Sequence, residues 1–214
     1  MTTPMMTLYY APSTASLVVH WLLIELEVPH TLARLDLQAR EHKSPEYLRL
    51  NPSGVVPTLV VEGQPLREAA AIAMFLADAY PQAELAPGVG TPARAAYHEW
   101  MFFMANTLQP AYRAWFYPEE PAGAEHVEAA KAQARGRIEA AWDRVAAHLA
   151  AGGPYLLGER LSAADFLLTM LMRWSRNMPK PTDQWPVLLA YARRMKARPS
   201  LREVYAREGL TDWT

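Results

Sequence analysis

Apolar and polar positions along this chain fall into two regimes that change near residue 80. In the first regime, short apolar runs bounded by Pro, Gly and Asn alternate with helical stretches. Thr7 to Tyr10 reads as a strand. Leu17 to Leu26 is apolar nearly all round, as expected of a helix buried on most faces. Pro29 follows it, and Leu32, Leu35 and Leu37 mark a second strand region. Ser44-Pro45-Glu46 combines an N-cap, a proline at the first helical position and an acid suited to the helix dipole. The short helix it opens runs to about Leu50 and stops at Asn51-Pro52. Thr58 to Val61 and Leu66-Arg67 flank Glu62-Gly63-Gln64-Pro65 as an antiparallel hairpin, and an alanine-rich helix covers Ala69 to Tyr80. The predicted order is βαβαββα.

In the second regime no strand pattern is visible. Pro81, Pro87, Gly88 and Gly90 mark a boundary, and the chain divides into an α/β domain at 1–81, a linker at 82–91 and an all-α domain at 92–214. Thr91-Pro92 caps a helix that runs toward Gln109, where Pro110 must bend or end it. A second helix runs from about Ala124 to Ala151 and stops at Gly152-Gly153-Pro154. Ser162 and Asp165 form a capping box with aspartate in the usual glutamate place. Two short helices fill Pro186 to Ala197 and Ser200 to Arg207, and Gly209 closes the last.

At 214 residues, with 51% hydrophobic and 20% charged side chains, the chain is an ordinary globular protein. Its net charge of -1 divides into 5 basic and 8 acidic residues before Pro81, and 16 and 14 from there on, so neither part has a field suited to a nucleic acid. The first charged side chain is Glu25, and Pro12-Ser13-Thr14 interrupts the long uncharged stretch ahead of it, so a cytoplasmic location and no membrane partner are expected. There is no cysteine, which excludes a CxxC redox site and a cysteine nucleophile. The six histidines are scattered without ligand spacing, so no metal is expected.

Val55-Val56-Pro57-Thr58-Leu59 carries the most specific signal. A proline cannot donate to a sheet ladder, so Pro57 belongs at a strand's first position or in a turn, where a cis bond is possible. Together with Leu8-Tyr9-Tyr10-Ala11-Pro12, with Glu68 and Ala71-Ile72, with Tyr155-Leu156-Leu157-Gly158 before the capping box, and with Arg198-Pro199-Ser200, this segment resembles the soluble glutathione transferases over almost the whole chain. The start is most similar to bacterial beta-class members, although those carry a cysteine where this chain has Ala15. The resemblance implies a thioredoxin-like domain followed by a helical domain, glutathione as substrate, a small apolar electrophile as second substrate, a role in detoxification and a homodimer.

A borrowed thiol must be ionised. A free thiol has a pKa of about 8.5, and lowering it by two units takes roughly 2.7 kcal/mol of preference for the anion. A helix N-terminus contributes ~0.3 to 1 kcal/mol, and a hydroxyl hydrogen bond to an ion ~1.5 to 3 kcal/mol. Ser13 and Ser16 lead the candidates in the turn before the Leu17 helix, with Tyr10 as the third and Thr14 beside them. Each also has a plain reading as a cap, turn or core residue. The resemblance implies that Val56, before Pro57, offers backbone groups to the cysteinyl part of glutathione. It also implies that Glu68 meets the γ-glutamyl amino group. Ala69 stands where the family has a serine or threonine, a change expected to weaken binding by about 0.5 to 1.5 kcal/mol. Asn106, Gln109 and Arg113, in a run rich in aromatics and methionines, are the candidate contacts for the second substrate. Beta-class members place a histidine where Gln109 falls. Two rivals remain open: a transferase fold that binds without turnover, and a glutathione-dependent isomerase.

Overall fold

The computed structural model describes residues 5–213. Its contacts divide these into two compact units, one up to Leu85 together with the segment from Lys196 onward, the other Ala86–Met195. In the first unit, β1 (Met6–Tyr10), β2 (Thr31–Arg34), β3 (Thr58–Val61) and β4 (Gln64–Arg67) form a mixed sheet in the order β2-β1-β3-β4. β1 is parallel to β2 and antiparallel to β3, with Leu8 opposite Leu59 and Tyr9 opposite Thr58. The parallel pair requires a crossover, which helix α1 (Ser16–Glu25) supplies. Helices α2 (Pro45–Leu50) and α3 (Ala69–Ala79) complete the βαβαββα order. Along β1 the alternation is clean: Met6, Leu8 and Tyr10 are buried, Thr7 and Tyr9 half-buried.

Two local readings differ from the pattern. β2 stops at Arg34, because the Asp36 carboxylate accepts the backbone N–H groups of Gln38 and Ala39 at 2.8 and 3.0 Å and turns the chain. Leu35 and Leu37 therefore lie beyond the strand. Those two bonds also hold the exposed Asp36 carboxyl below its ordinary pKa. In the hairpin, Val61 pairs with Gln64, so the loop is Glu62-Gly63 alone, both with positive φ. Pro65 is accommodated because β4 lies at the edge of the sheet.

The second unit is helical: α4 (Pro92–Phe103), α5 (Gln109–Phe116), α6 (Glu119–Ala122), α7 (Val127–Gly152), α8 (Ala163–Trp174) and α9 (Pro186–Lys196). Thr91 caps α4 by accepting the Arg94 N–H at 3.2 Å. Pro110 neither ends nor breaks the helix. Instead a π turn at Met104–Leu108 precedes α5, and the Gln109 N–H reaches back to the Met104 carbonyl. A proline has no N–H to return to the carbonyl four residues earlier, and widening the turn before it absorbs the mismatch. Tyr97, Met101, Met104, Leu108, Trp142, Phe166 and Met170 make the core. The capping box is formed: Asp165 Oδ2 accepts the Ser162 N–H and hydroxyl at 2.8 and 3.0 Å. Its Oδ1 accepts the Leu156 N–H and the Tyr191 hydroxyl, both at 2.9 Å. Burial pushes the Asp165 carboxyl up, and these four donors oppose it.

Helix α10 (Pro199–Glu208) follows the helical unit in sequence but belongs to the first unit. This differs from the boundary read from the sequence, and the cause is side-chain chemistry. Arg198 and Ser200 both bond Glu25 near the end of α1, and the Trp21 indole N–H donates to Ser200 Oγ at 2.8 Å. At the other end, Glu208 meets His20 of α1. With α3 and α10 packed against it, α1 has no free face, which explains its uniform hydrophobicity. Leu17, Val18, Val19, Leu22 and Leu23 are fully buried, each stabilising the unit by about 1.5–3 kcal/mol. Among the described residues no helix is long and apolar enough to cross a membrane.

Candidate functional site

The turn between β1 and α1 is built around hydroxyls. Thr14 Oγ1 and Ser16 Oγ lie 2.8 and 2.9 Å from the Ala11 carbonyl and 2.8 Å from each other. Two hydroxyl protons serve these three contacts, so both are committed inside the turn. Thr14 Oγ1 also accepts the Ser16 N–H at 3.3 Å, while Ala15, at the N-cap of α1, makes no side-chain cap. Ser16 is fully buried. Burial and the bond to the Ala11 carbonyl give its hydroxyl a turn-holding place. Tyr10 is buried as well. It points with Met6 and Leu8 into the core, its ring centroid 5.6 Å from that of His20.

Ser13 remains half-buried in the turn, at φ 65°, a left-handed conformation uncommon for residues other than glycine. Glu208 holds it there, accepting the Ser13 N–H on Oε2 at 3.0 Å and His20 Nδ1 on Oε1 at 2.9 Å. The side chains of His20 and Glu208 are both without solvent exposure. A carboxylate from the last helix thus sets the backbone of the first turn.

The second element is the segment before β3. The Val56–Pro57 peptide is cis. Tyr47, Asn51 and Thr58, all buried, surround the carbonyl of Val55. The Tyr47 hydroxyl donates to that carbonyl at 2.6 Å, and Asn51 Nδ2 donates to it at 2.8 Å. Burial pushes the Tyr47 hydroxyl pKa up, so it remains a donor at neutral pH. Among the described residues, neither the N–H nor the C=O of Val56 has an intrachain hydrogen bond. The register carries the two elements together: Tyr9 faces Thr58 across an antiparallel pair, so Ala11 and Pro12 leave β1 beside Val56 and Pro57.

The third element is the start of α3. Glu68 is exposed, has φ 68° and ψ 113°, and makes no side-chain capping bond. Strain of this kind in a non-glycine residue clusters at functional sites. A purely capping role is thereby removed. Ala69 is buried, and the first intrahelical bond is Ile72 N–H to Glu68 C=O, which leaves the N–H groups ahead of it open to an anion.

In the helical unit, Asn106 is exposed in the π turn and Gln109 is half-buried. Arg113 is exposed but engaged, its Nε and one terminal nitrogen donating to Glu120 at 2.7 and 2.6 Å, with the guanidinium over the Tyr117 ring. Phe102, Phe116 and Tyr117 stay exposed on the same helical segment. Phe116 is fixed from within by rings of Tyr112 and Trp174. Among the described residues no group of three or more side chains suits a metal ion.

Two family models match: the glutathione S-transferase N-terminal domain over residues 4–78 and the C-terminal domain over 128–207. Glutathione S-transferase GST-4.5 of Xanthomonas campestris is 32% identical over 96% of this chain and 100% of its own length. The chain belongs to the glutathione S-transferase family. Among solved structures, a Sulfitobacter glutathione transferase homologue with bound glutathione is 30% identical, with a TM-score of 0.88 over 97% of this chain and 99% of that one. A beta-class glutathione S-transferase of Sphingomonas chungbukensis is 28% identical, with a TM-score of 0.84 over 96% and 100%.

Within this glutathione S-transferase frame, several site residues had no sequence signal. Glu208 reads as an ordinary helix-end acid, and nothing in its neighbourhood points 195 positions back to Ser13. Asn51 reads as a helix stop and Tyr47 as an aromatic on an amphipathic turn. A cleft of about 550 Å³ also opens beside Ala11 and Pro12, lined by residues 34–38 and Glu41. Leu35 and Leu37, which the apolar pattern had assigned to the second strand region, are among its lining residues.

Proposed function

We propose that this glutathione S-transferase docks glutathione on the Val56 edge, ionises its thiol at the first turn, and conjugates the thiolate to a small apolar electrophile. One observation carries the reading: a backbone edge with free hydrogen-bonding groups lies in register with a strained, carboxylate-held serine turn at the N-terminus of a helix. The chain has no sulfur nucleophile of its own, so the reacting sulfur comes with the substrate.

Val56 pairs with the cysteinyl residue as an added strand would. That pairing sets the sulfur beside Ser13, whose hydroxyl donates to the thiolate, with the α1 N-terminus adding its dipole. The two contributions, ~1.5 to 3 and ~0.3 to 1 kcal/mol, cover the roughly 2.7 kcal/mol needed for two pKa units. Glu68 receives the γ-glutamyl ammonium, and the open N–H groups of α3 receive its carboxylate, without the hydroxyl that Ala69 lacks. Thr14 and Pro57 complete the pocket by shape rather than by donated protons. In the reaction the thiolate lone pair forms the S–C bond as the electrophile's leaving group departs or its π electrons are displaced. Asn106, Gln109 and Arg113, with the exposed aromatics around them, give the helical unit's surface for that electrophile. The family resemblance supports a homodimer in the cytoplasm and a role in detoxification.

Ala15 and Ala69, each standing where the family resemblance implies a polar side chain, favour a second reading in which the fold binds glutathione without turnover. Isothermal titration with glutathione, followed by a conjugation assay with an activated aryl halide, separates the two. Binding with turnover supports the transferase, binding alone supports the second reading, and no heat at millimolar glutathione overturns both.

A further inference from the structure

The protons around Val55 can be assigned without ambiguity. A carbonyl only accepts, so the Tyr47 hydroxyl spends its single proton on Val55. The contact of 2.8 Å between Tyr47 and Thr58 must then run the other way, with Thr58 donating. Thr58 Oγ1 in turn accepts one Asn51 Nδ2 proton at 3.2 Å, and the other Nδ2 proton goes to Val55 at 2.8 Å. The opposite Asn51 amide orientation is ruled out because Oδ1 would then face the Val55 carbonyl, and Oδ1 accepts the Ser53 N–H at 3.1 Å. The result is a closed ring of four hydrogen bonds in which every proton and both lone pairs of the Val55 carbonyl are used. A fully satisfied buried network of this kind rigidifies what it holds.

What it holds is the residue before Val56. Gly54, on the other side of Val55, sits at φ 57° with the Lys43 side chain and the His42 carbonyl so close that a Cβ would lie 2.8–2.9 Å from them. The segment is thus pinned from both sides immediately before the two backbone groups that remain unpaired.

We infer that Tyr47 is a positioning residue for glutathione: its hydroxyl, through the ring with Thr58 and Asn51, pre-orients the Val56 N–H and C=O for pairing with the substrate backbone. This rests on the edge-binding reading above. Pre-orientation removes an ordering cost from binding and does nothing to the thiol, so its loss appears in affinity and not in ionisation.

The test uses Y47F, T58V and T58S in the full-length protein, with glutathione Kd by calorimetry, KM and kcat by conjugation, and thiolate absorbance of the bound complex against pH. Y47F keeps the aromatic ring against Tyr9 and removes the two hydrogen bonds of the hydroxyl, one donated to Val55 and one accepted from Thr58. The expected result is a rise in Kd and KM of roughly three- to tenfold for Y47F and T58V, kcat within twofold, an unmoved thiolate titration, and T58S close to wild type. The double variant Y47F/T58V should be no weaker than the weaker single variant, because both break one ring. Unchanged Kd in Y47F and T58V overturns the inference, as does a fall in kcat or a shifted thiolate titration, which would assign the ring a general structural or chemical role. If Y47F fails to fold, the T58V and T58S pair decides alone. A wild-type protein that takes up no glutathione removes the edge-binding reading and this inference with it, an outcome distinct from normal wild-type binding with insensitive variants.

Discussion

The two sides of the proposed thiol site are held in opposite ways. The Val55–Pro57 edge is fixed by Tyr47, Asn51 and Thr58, all within 11 positions of one another, in a ring of neutral hydrogen bonds. The Ser13 turn is fixed by Glu208, 195 positions away, in a buried pair with His20. One side is local and built of neutral groups, the other distant and built on an ionisable pair. The edge therefore forms with its own segment, whereas the turn is complete only when α10 has docked on α1. Long-range docking is also the costlier arrangement to disturb, since removing one partner of a buried polar pair leaves the other unsatisfied.

The largest way to break this contrast is Glu208→Ala. It leaves His20 and the Ser13 N–H without their acceptor and should cost about 3–5 kcal/mol of stability, with conjugation falling along with it. Denaturant unfolding and a conjugation assay check both, and Glu208→Gln should recover part of the loss because an amide oxygen still accepts from Ser13. Next, Ser13→Ala should raise the pKa of bound glutathione by about one to two units, the equivalent of ~1.5 to 3 kcal/mol, while leaving the glutathione Kd nearly unchanged at acid pH, where the thiol is protonated both free and bound. A smaller effect in the opposite direction is expected at α3: Ala69→Ser should tighten glutathione binding by about 0.5 to 1.5 kcal/mol, measured by calorimetry.

The smallest expected effect separates the two sides by pH. Burial lowers the pKa of His30, whose ring lies edge-on to His20 with centroids 5.7 Å apart. Above about pH 6.5 neither the folded nor the unfolded form of this histidine is charged, and it contributes nothing. As pH falls below that, the unfolded chain takes up the proton first, so stability declines until the lowered folded pKa is passed. His30→Gln should flatten the decline of unfolding free energy between pH 7 and 5. The hydrogen-bonded ring on the edge side contains no such group, because the pKa of Tyr47 is raised away from this range. Variants of the ring should leave that slope unchanged.

The same local-versus-distant contrast explains what could be read from the chain. Caps at Ser44, Thr91 and Ser162 were legible because each is satisfied within three residues. Pro57 ahead of β3 and the start of α3 after Glu68 were legible from the local residue order. The burial of Ser16 was not legible, because it depends on what packs over α1, which no short window contains. Leu35 and Leu37 continued the alternation of β2, and only the Asp36 turn, competing for the same backbone, moved them to the cleft. The π turn before Pro110 was foreshadowed as a bend, but its form depends on how the neighbouring helices hold the segment straight. The assignment of α10 to the first unit could not be foreseen, since Glu25, Ser200, His20 and Glu208 are ordinary residues until the fold brings them together.

The most direct test of the central claim is the absorbance of the glutathione thiolate near 240 nm, titrated with pH in complex with the protein. The account predicts that the bound thiol ionises roughly two pKa units below a free one. A bound thiol that titrates like free glutathione would contradict it.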